Sequence, residues 1–255
     1  MGVISRSYLD FNATAPARPE VIDAVVGAMR ERGNASSVHA DGRSARSRVE
    51  NARAQVASLV GAEANSVVFT GSGTESNNQA LRAADCERII VSAIEHESVL
   101  QARADAVICP VTPDGLVDLE VLEYLLAESR ASTIVSIMLA NNETGIIQPV
   151  REAAKLAHNA GALFHCDVVQ AAGKIPVDMA SLGVDSLALS AHKIGGPQGV
   201  GALIYRKPSA IQRFIHGGGQ ESGLRAGTEN VPGIVGYGVA AESALAGLTL
   251  FGELE

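Results

Sequence analysis

The chain has 255 residues, 47% of them apolar, which suits one large or two modest domains with a buried core. A formal net charge of −8 at pH 7 argues against a nucleic-acid surface, and no apolar run approaches the roughly eighteen residues of a membrane helix. Residues 1–6 carry no hydrophobic signal region and no myristoylation pattern, and Cys86, Cys109 and Cys166 lack metal-type spacing, so a reduced cytoplasmic protein is the simplest expectation.

In chain order, Ala45, Val49, Ala52, Val56 and Leu59 recur at spacings of four and three and predict a helix over 42–60. Residues 66–70 read as a buried strand, followed by a glycine turn and a helix near 74–83. Further strands are expected at 88–92, 107–111, 132–139, 162–167, 186–190 and 201–205. Helices near 96–103, 118–128 and 149–160 lie between the earlier ones. This alternation predicts an α/β domain with a mostly parallel central sheet and helices on both faces. Leu245, Leu248, Phe251 and Leu254 then keep helical spacing to the end of the chain without a capping Gly or Pro. An apolar face that stops mid-pattern reads as a truncated chain, the alternative being a frayed terminal helix.

Gly71-Ser72-Gly73-Thr74-Glu75-Ser76-Asn77 sits between a predicted strand and a predicted helix. Free N–H groups at a helix start, with glycines allowing close approach, form an anion site. Ser76 stands where a dinucleotide fingerprint needs its third glycine, and no Walker lysine follows. The same residues also read as a plain glycine turn with a Ser or Thr cap.

Only four of the basic residues are lysines, and an arginine cannot replace lysine as an amine nucleophile. Lys193, in Ser190-Ala191-His192-Lys193-Ile194-Gly195-Gly196-Pro197, follows the strand at 186–190, where α/β sheets bind ligands. There it can form a Schiff base with an aldehyde cofactor; a solvated loop lysine is the plain alternative. Lys155 falls on the polar face of a helix, Lys207 precedes Pro208 in a turn, and Lys174 is the real rival. In His165-Cys166-Asp167-Val168-Val169-Gln170, alternation puts His165 and Asp167 on one face and Cys166 on the other. That separation disfavours a zinc site, and no metal ligands are expected. Asp167 is the candidate to hold a pyridine nitrogen protonated. His96 and Asn142 likewise follow predicted strands, and an imidazole there can stack on a cofactor ring and shuttle protons.

The residues resemble the cysteine desulfurases of the class V aminotransferase-like group. The resemblance runs from Tyr8-Leu9-Asp10 and Gly33-Asn34-Ala35-Ser36-Ser37-Val38-His39 through Thr74-Glu75-Ser76-Asn77-Asn78 and Glu95-His96. It continues through Asn141-Asn142-Glu143, Asp167–Gln170 and Ser190–Lys193, and ends with Gly217-Gly218-Gly219-Gln220-Glu221 and Arg225-Ala226-Gly227-Thr228. It implies an aspartate aminotransferase-like (fold type I) large domain over 16–231, after an N-terminal segment at 1–15. Residues 232–255 would then begin a helix leading to a small domain that is largely missing.

The resemblance also implies pyridoxal 5'-phosphate as cofactor and Lys193 as the residue bonded to it. His96 would stack on the ring and assist proton transfer, Asp167 would pair with the pyridine nitrogen, and Gln170 would contact the phenolic oxygen with Asn142 nearby. Gly73, Thr74, Ser190 and His192 would hold the phosphate, while Thr228 would reach the phosphate of the partner subunit in a homodimer. The family's reaction converts L-cysteine to L-alanine and leaves a persulfide on an enzyme cysteine, feeding an iron–sulfur scaffold or another sulfur acceptor. The family's nucleophile lies on a loop well beyond residue 255, and none of the three cysteines here replaces it. A related lyase such as a selenocysteine lyase, or a catalytically silent cofactor-binding fragment, are the alternative expectations.

Overall fold

The computed structural model describes residues 7–206 and 212–251, and side chains through residue 249. Lys207, the turn expected around it and Leu254 lie outside the described residues. Seven strands form one sheet: β1 (Val67–Thr70), β2 (Arg88–Ser92), β3 (Val107–Cys109), β4 (Thr133–Ser136), β5 (Leu163–Asp167), β6 (Ser186–Ser190) and β7 (Gly201–Tyr205). Their lateral order is β1-β7-β6-β5-β4-β2-β3, and β7 runs antiparallel to both of its neighbours. The other six strands share one direction, so the expected mostly parallel sheet is present.

Helices cover both faces. α1 (Pro19–Arg30), α2 (Ala40–Leu59), α5 (Leu119–Ala127), α6 (Val150–Asn159), α7 (Met179–Leu182) and α8 (Val231–Ala246) lie on one side. α3 (Gly73–Arg82) and the four-residue α4 (Glu97–Leu100) lie on the other. The alternation of each strand follows from this. Ile90, Val135, Phe164, Cys166, Leu187 and Leu189 enter the main core, whereas Ile89, Val91 and Ile134 pack with Leu81 of α3 and Val99 of α4. Burial of these aliphatic faces supplies the stabilisation, at about 25 cal/mol per Å² of apolar surface removed from water.

The central strands break this pattern on the α3 side. Ser136 of β4, His165 and Asp167 of β5, and Ser186 and Ser190 of β6 are buried there in place of aliphatic residues. Buried polar groups are costly unless paired, so this stripe requires hydrogen-bond partners on the α3 side of the sheet.

Several expected boundaries shift for local reasons. β3 stops at Cys109 before Pro110, which has no N–H for a ladder. α4 ends at Leu100, not near 103, as the chain turns so that Arg103 donates to the carbonyls of Cys86 and Glu87. β4 ends at Ser136, although Ile137 and Leu139 still donate to the carbonyls of His165 and Asp167 beyond it. The terminal helical spacing is interrupted at Gly247, between α8 and the single turn α9 (Leu248–Phe251).

Candidate active site

The ends of the parallel strands open into a cavity of about 470 Å³. Its floor at one side is the start of α3, where Ser72 caps the helix by accepting from Glu75 N at 3.1 Å. The cap leaves the N–H groups of Gly73 and Thr74 without a protein acceptor among the described residues, at the positive end of a ten-residue helix. The approach of β7 beneath this turn requires glycine: a Cβ at Gly201 would lie 2.5 Å from the Ser72 carbonyl carbon and 2.9 Å from Gly73 N. Ser190 and His192 line the same end of the chain's path past β6.

Lys193 stands in a short helical turn, 191–194, closed by Gly195 in a left-handed conformation (φ 80°). Its Nζ donates to the carbonyls of Asn12 and Ala13, the latter at 2.9 Å. Burial pulls the Lys193 amine below the ordinary lysine range, with Asp10 and Asp167 partly opposing it. Lys174, the rival amine, donates to Gln170 Oε1 at 2.7 Å and Asn12 Oδ1 at 3.1 Å and does not line the cavity. Lys155 is exposed on α6.

Asp167 ends β5 inside the cavity. Its Oδ1 accepts from Val169 N at 2.8 Å and its Oδ2 from Asn77 Nδ2 at 2.7 Å. Burial raises its affinity for a proton, while Asn77, Val169 N and the charges of His96 and Lys193 act the other way. His96 caps α4 at the wall, with Nδ1 facing Ser98 Oγ at 2.8 Å and accepting from Ser98 N at 3.0 Å. Gln170 donates to Asn12 O at 2.9 Å, and Asn142 O accepts from Asn12 Nδ2 at 3.2 Å. The segment from Asp10 to Thr14 thereby closes over the mouth, pinned also by Thr14 against His192 Nδ1 at 3.2 Å.

The structure thus brings Gly73, Thr74, His96, Asn142, Asp167, Gln170, Ser190, His192 and Lys193 to one cavity. Thr228 is not among its walls; it is exposed and lines a separate space of about 160 Å³ with Arg225 and Glu229. Arg225 forms a two-pronged pair with Glu75 at 2.8 and 3.2 Å, tying the Gly217–Thr228 stretch to the start of α3. Cys166 points into the core behind Asp167, as alternation requires.

Three participants were given no role from the sequence, although Asn77 and Glu95 stand in its motifs. Asn77 reaches Asp167 because it lies one helical turn beyond Gly73, a spacing visible only once α3 is placed. Asn12 gathers three cavity residues, Asn142, Gln170 and Lys193, from 130 or more positions away in the chain. Glu95 is 5% exposed and accepts from Ser92 Oγ at 3.0 Å and Met138 N at 2.6 Å, but its Oε2 finds no partner among the described residues. Burial, then the neighbouring Asp167, push this carboxyl up to about 8.

Pyridoxal phosphate has an anion at one end, an aldehyde in the middle and a ring nitrogen that a carboxylate can hold protonated. The orphaned N–H pair of Gly73 and Thr74, the amine of Lys193 and the buried Asp167 match these three features within one cavity. The residues present fit the group.

Comparison with known proteins agrees with this chemistry. The family model for class-V aminotransferases matches residues 7–248. A cysteine desulfurase of Cereibacter sphaeroides is 48% identical over 259 residues, covering 96% of this chain and 66% of that protein. Other curated relatives, such as the cysteine desulfurase IscS of Dictyoglomus turgidum at 43%, are covered over 64% of their length, so the chain spans less than two thirds of these relatives. Among solved structures, a NifS-like protein from Rickettsia africae superposes with a TM-score of 0.91 at 41% identity, over 95% of this chain and 70% of that one. SspA in complex with cysteine superposes at 0.84 and 33% identity, over 93% and 72%.

Proposed function

The chain belongs to the class-V aminotransferase family, which is pyridoxal-phosphate-dependent, and from that premise we propose that it is the cofactor-binding large domain of a cytoplasmic cysteine desulfurase acting on L-cysteine. In this reading residues 16–231 form the large domain, preceded by an N-terminal segment and followed by the start of a connecting helix. The observation that carries the proposal is the convergence of Lys193, Asp167 and the Gly73–Thr74 helix start on one cavity.

Bound there, pyridoxal phosphate would supply an aldehyde for covalent attachment and a protonated ring that withdraws electrons from the substrate's α-carbon. Gly73, Thr74, Ser190 and His192 bind the phosphate. Lys193 is the amine that anchors the aldehyde, and its lowered proton affinity keeps a larger share of it neutral and nucleophilic. Asp167 would accept a hydrogen bond from the ring N–H and so keep that nitrogen protonated. His96 would cover the ring and could move a proton through its imidazole, while Gln170 and Asn142 would orient the ring's oxygen. Thr228 serves the phosphate of a second subunit in a homodimer, in keeping with its place outside its own cavity.

The sulfur-accepting thiol is not among Cys86, Cys109 and Cys166. Burial raises all three above the ordinary cysteine range, Cys109 to about 11, and thiolate is the attacking form. The net change is L-cysteine plus an acceptor thiol giving L-alanine plus a persulfide, which passes to an iron–sulfur scaffold or another acceptor protein.

The test is reconstitution with pyridoxal phosphate, followed by L-cysteine with dithiothreitol as acceptor. A yellow Schiff-base band should form, be lost in Lys193→Ala, and change on adding L-cysteine, with alanine and sulfide measured as products. A Lys193→Ala protein that keeps the band would overturn the assignment.

A further inference from the structure

Asn77, on α3, is buried at 1% exposure where four side chains meet. Its Nδ2 donates to Asp167 Oδ2 at 2.7 Å and to Ser98 Oγ at 2.9 Å. Its Oδ1 lies 3.0 Å from His165 Nε2, and His165 Nδ1 lies 2.8 Å from Ser186 Oγ. His165 and Ser186 are fully interior, do not line the cavity, and are directly paired residues of neighbouring strands β5 and β6. The sheet register therefore fixes their separation.

With Asp167 ionised, one arrangement of protons satisfies every contact. A carboxylate only accepts, so the Asn77 NH₂ faces Asp167 and the Asn77 carbonyl faces His165. A carbonyl also only accepts, so His165 carries its proton on Nε2. His165 Nδ1 is then an acceptor, and the Ser186 hydroxyl donates to it. On the other branch, Ser98 accepts from Asn77 and turns its own proton toward His96 Nδ1. That nitrogen already accepts the Ser98 N–H, so a neutral His96 carries its proton on Nε2. Burial holds His165 down to about 3, so its ring stays neutral across the physiological range.

We propose that Ser186, His165 and Asn77 are positioning residues, a buried relay that orients the Asn77 amide and fixes Asp167 as a hydrogen-bond acceptor. The inference rests on the reading of Asp167 as the partner of the cofactor's ring nitrogen. Without the relay the amide is free to turn over and present its carbonyl to Asp167. A buried carboxyl facing a carbonyl is stable only when it is protonated, and a protonated Asp167 no longer accepts from the ring. The charged or titratable groups around Asp167 are His96 at the start of α4, Lys193 after β6 and Glu95 in the turn after β2. Below pH 7 Glu95 keeps its proton, so the Asp167 titration is read there.

The experiment uses the protein without added cofactor, so that it is independent of whether pyridoxal phosphate binds. Nitrogen-15 NMR of labelled histidines should show His165 neutral, with its proton on Nε2, from pH 5 to pH 8. Carboxyl carbon-13 NMR of labelled aspartate should show the Asp167 midpoint moving up by about one pH unit, a tenfold gain in proton affinity, in His165→Phe and in Asn77→Leu. Ser186→Ala should mix the two His165 tautomers. A purely structural role would lower the melting temperature and leave the Asp167 midpoint unmoved, and that result overturns the proposal. So does a wild-type His165 carrying its proton on Nδ1 or charged at pH 6, a measurement that stands even if a variant fails to fold. Failure of the functional reading would look different: an intact relay in the spectra with no Schiff-base band on adding pyridoxal phosphate.

Discussion

Glu95→Gln should make the protein more stable at neutral pH and remove part of its pH dependence. The Glu95 carboxyl rises from 4.5 in the unfolded chain to about 8 in the fold, first because burial strips it of water and also because Asp167 is nearby. A carboxyl with a raised folded value binds its proton more tightly when folded. Its contribution is therefore fully present below pH 4.5 and is lost as the pH climbs toward 8. The slope is about 1.4 kcal/mol per pH unit, so by pH 7 roughly 3 kcal/mol has been lost. The neutral amide of the variant keeps an oxygen for Met138 N and Ser92 Oγ and puts its NH₂ where the carboxyl's second oxygen already lacks a partner. The variant should match the wild type near pH 4.5 and melt higher at pH 7, by about 6–12 °C at 2–4 °C per kcal/mol for a chain of this size. His165 contributes with the opposite sign, gaining stability as pH rises from about 3 to 6.5. It is present in both proteins and cancels in the difference. Thermal denaturation followed by circular dichroism from pH 4.5 to 8.5 reads the effect. A stability difference that stays flat across this range would refute the reasoning, because Glu95 would then be ionising as an ordinary carboxyl.

Gly201→Ala places a methyl group against the Ser72–Gly73 backbone, which has no side-chain freedom to yield; pyridoxal phosphate affinity should fall at least about tenfold, read by fluorescence or absorbance titration, with folding retained. Lys193→Ala should abolish the Schiff-base band, and Lys174→Ala should leave it in place. Glu221→Ala removes the buried partner of Arg53, whose guanidinium meets Glu221 at 2.6 and 3.0 Å and is left with the half-exposed Glu50 and the Val67 carbonyl, and it removes the acceptor of Phe69 N. It should cost about 3–5 kcal/mol in urea denaturation, and the double variant Arg53→Met/Glu221→Leu should cost less than the sum of the two single changes.

Much of the site was legible in the chain because its chemistry is local. Glycines and hydroxyls at 71–74 read as an anion turn without any tertiary knowledge, since the helix start they create supplies its own N–H groups. Strand alternation alone separated Asp167 from Cys166, and the position of Lys193 just after a strand put it at the ligand-binding edge of an α/β sheet. α1 was not among the expected helices, although Val21, Ile22, Val25, Val26 and Met29 recur at helical spacing; in the fold Val21 and Ala28 are buried while Ile22, Val26 and Met29 stay exposed.

Spacing could not decide the rest, because it depends on contacts between segments far apart in sequence. The reversal of β7 is fixed by its ladders with β1 and β6, and only those ladders bring Gly201 under the Ser72 turn. Asn12 meets residues 130 and more positions away, and Asn77 meets partners 88 and 90 positions on. Glu95 looks like any surface glutamate until the fold buries it beside Asp167. The sequence by itself determined which groups stand at the strand ends around the candidate site, because side-chain type and alternation are local properties. Burial, proton placement and the distance between distant segments follow from packing, and these the tertiary structure alone decided.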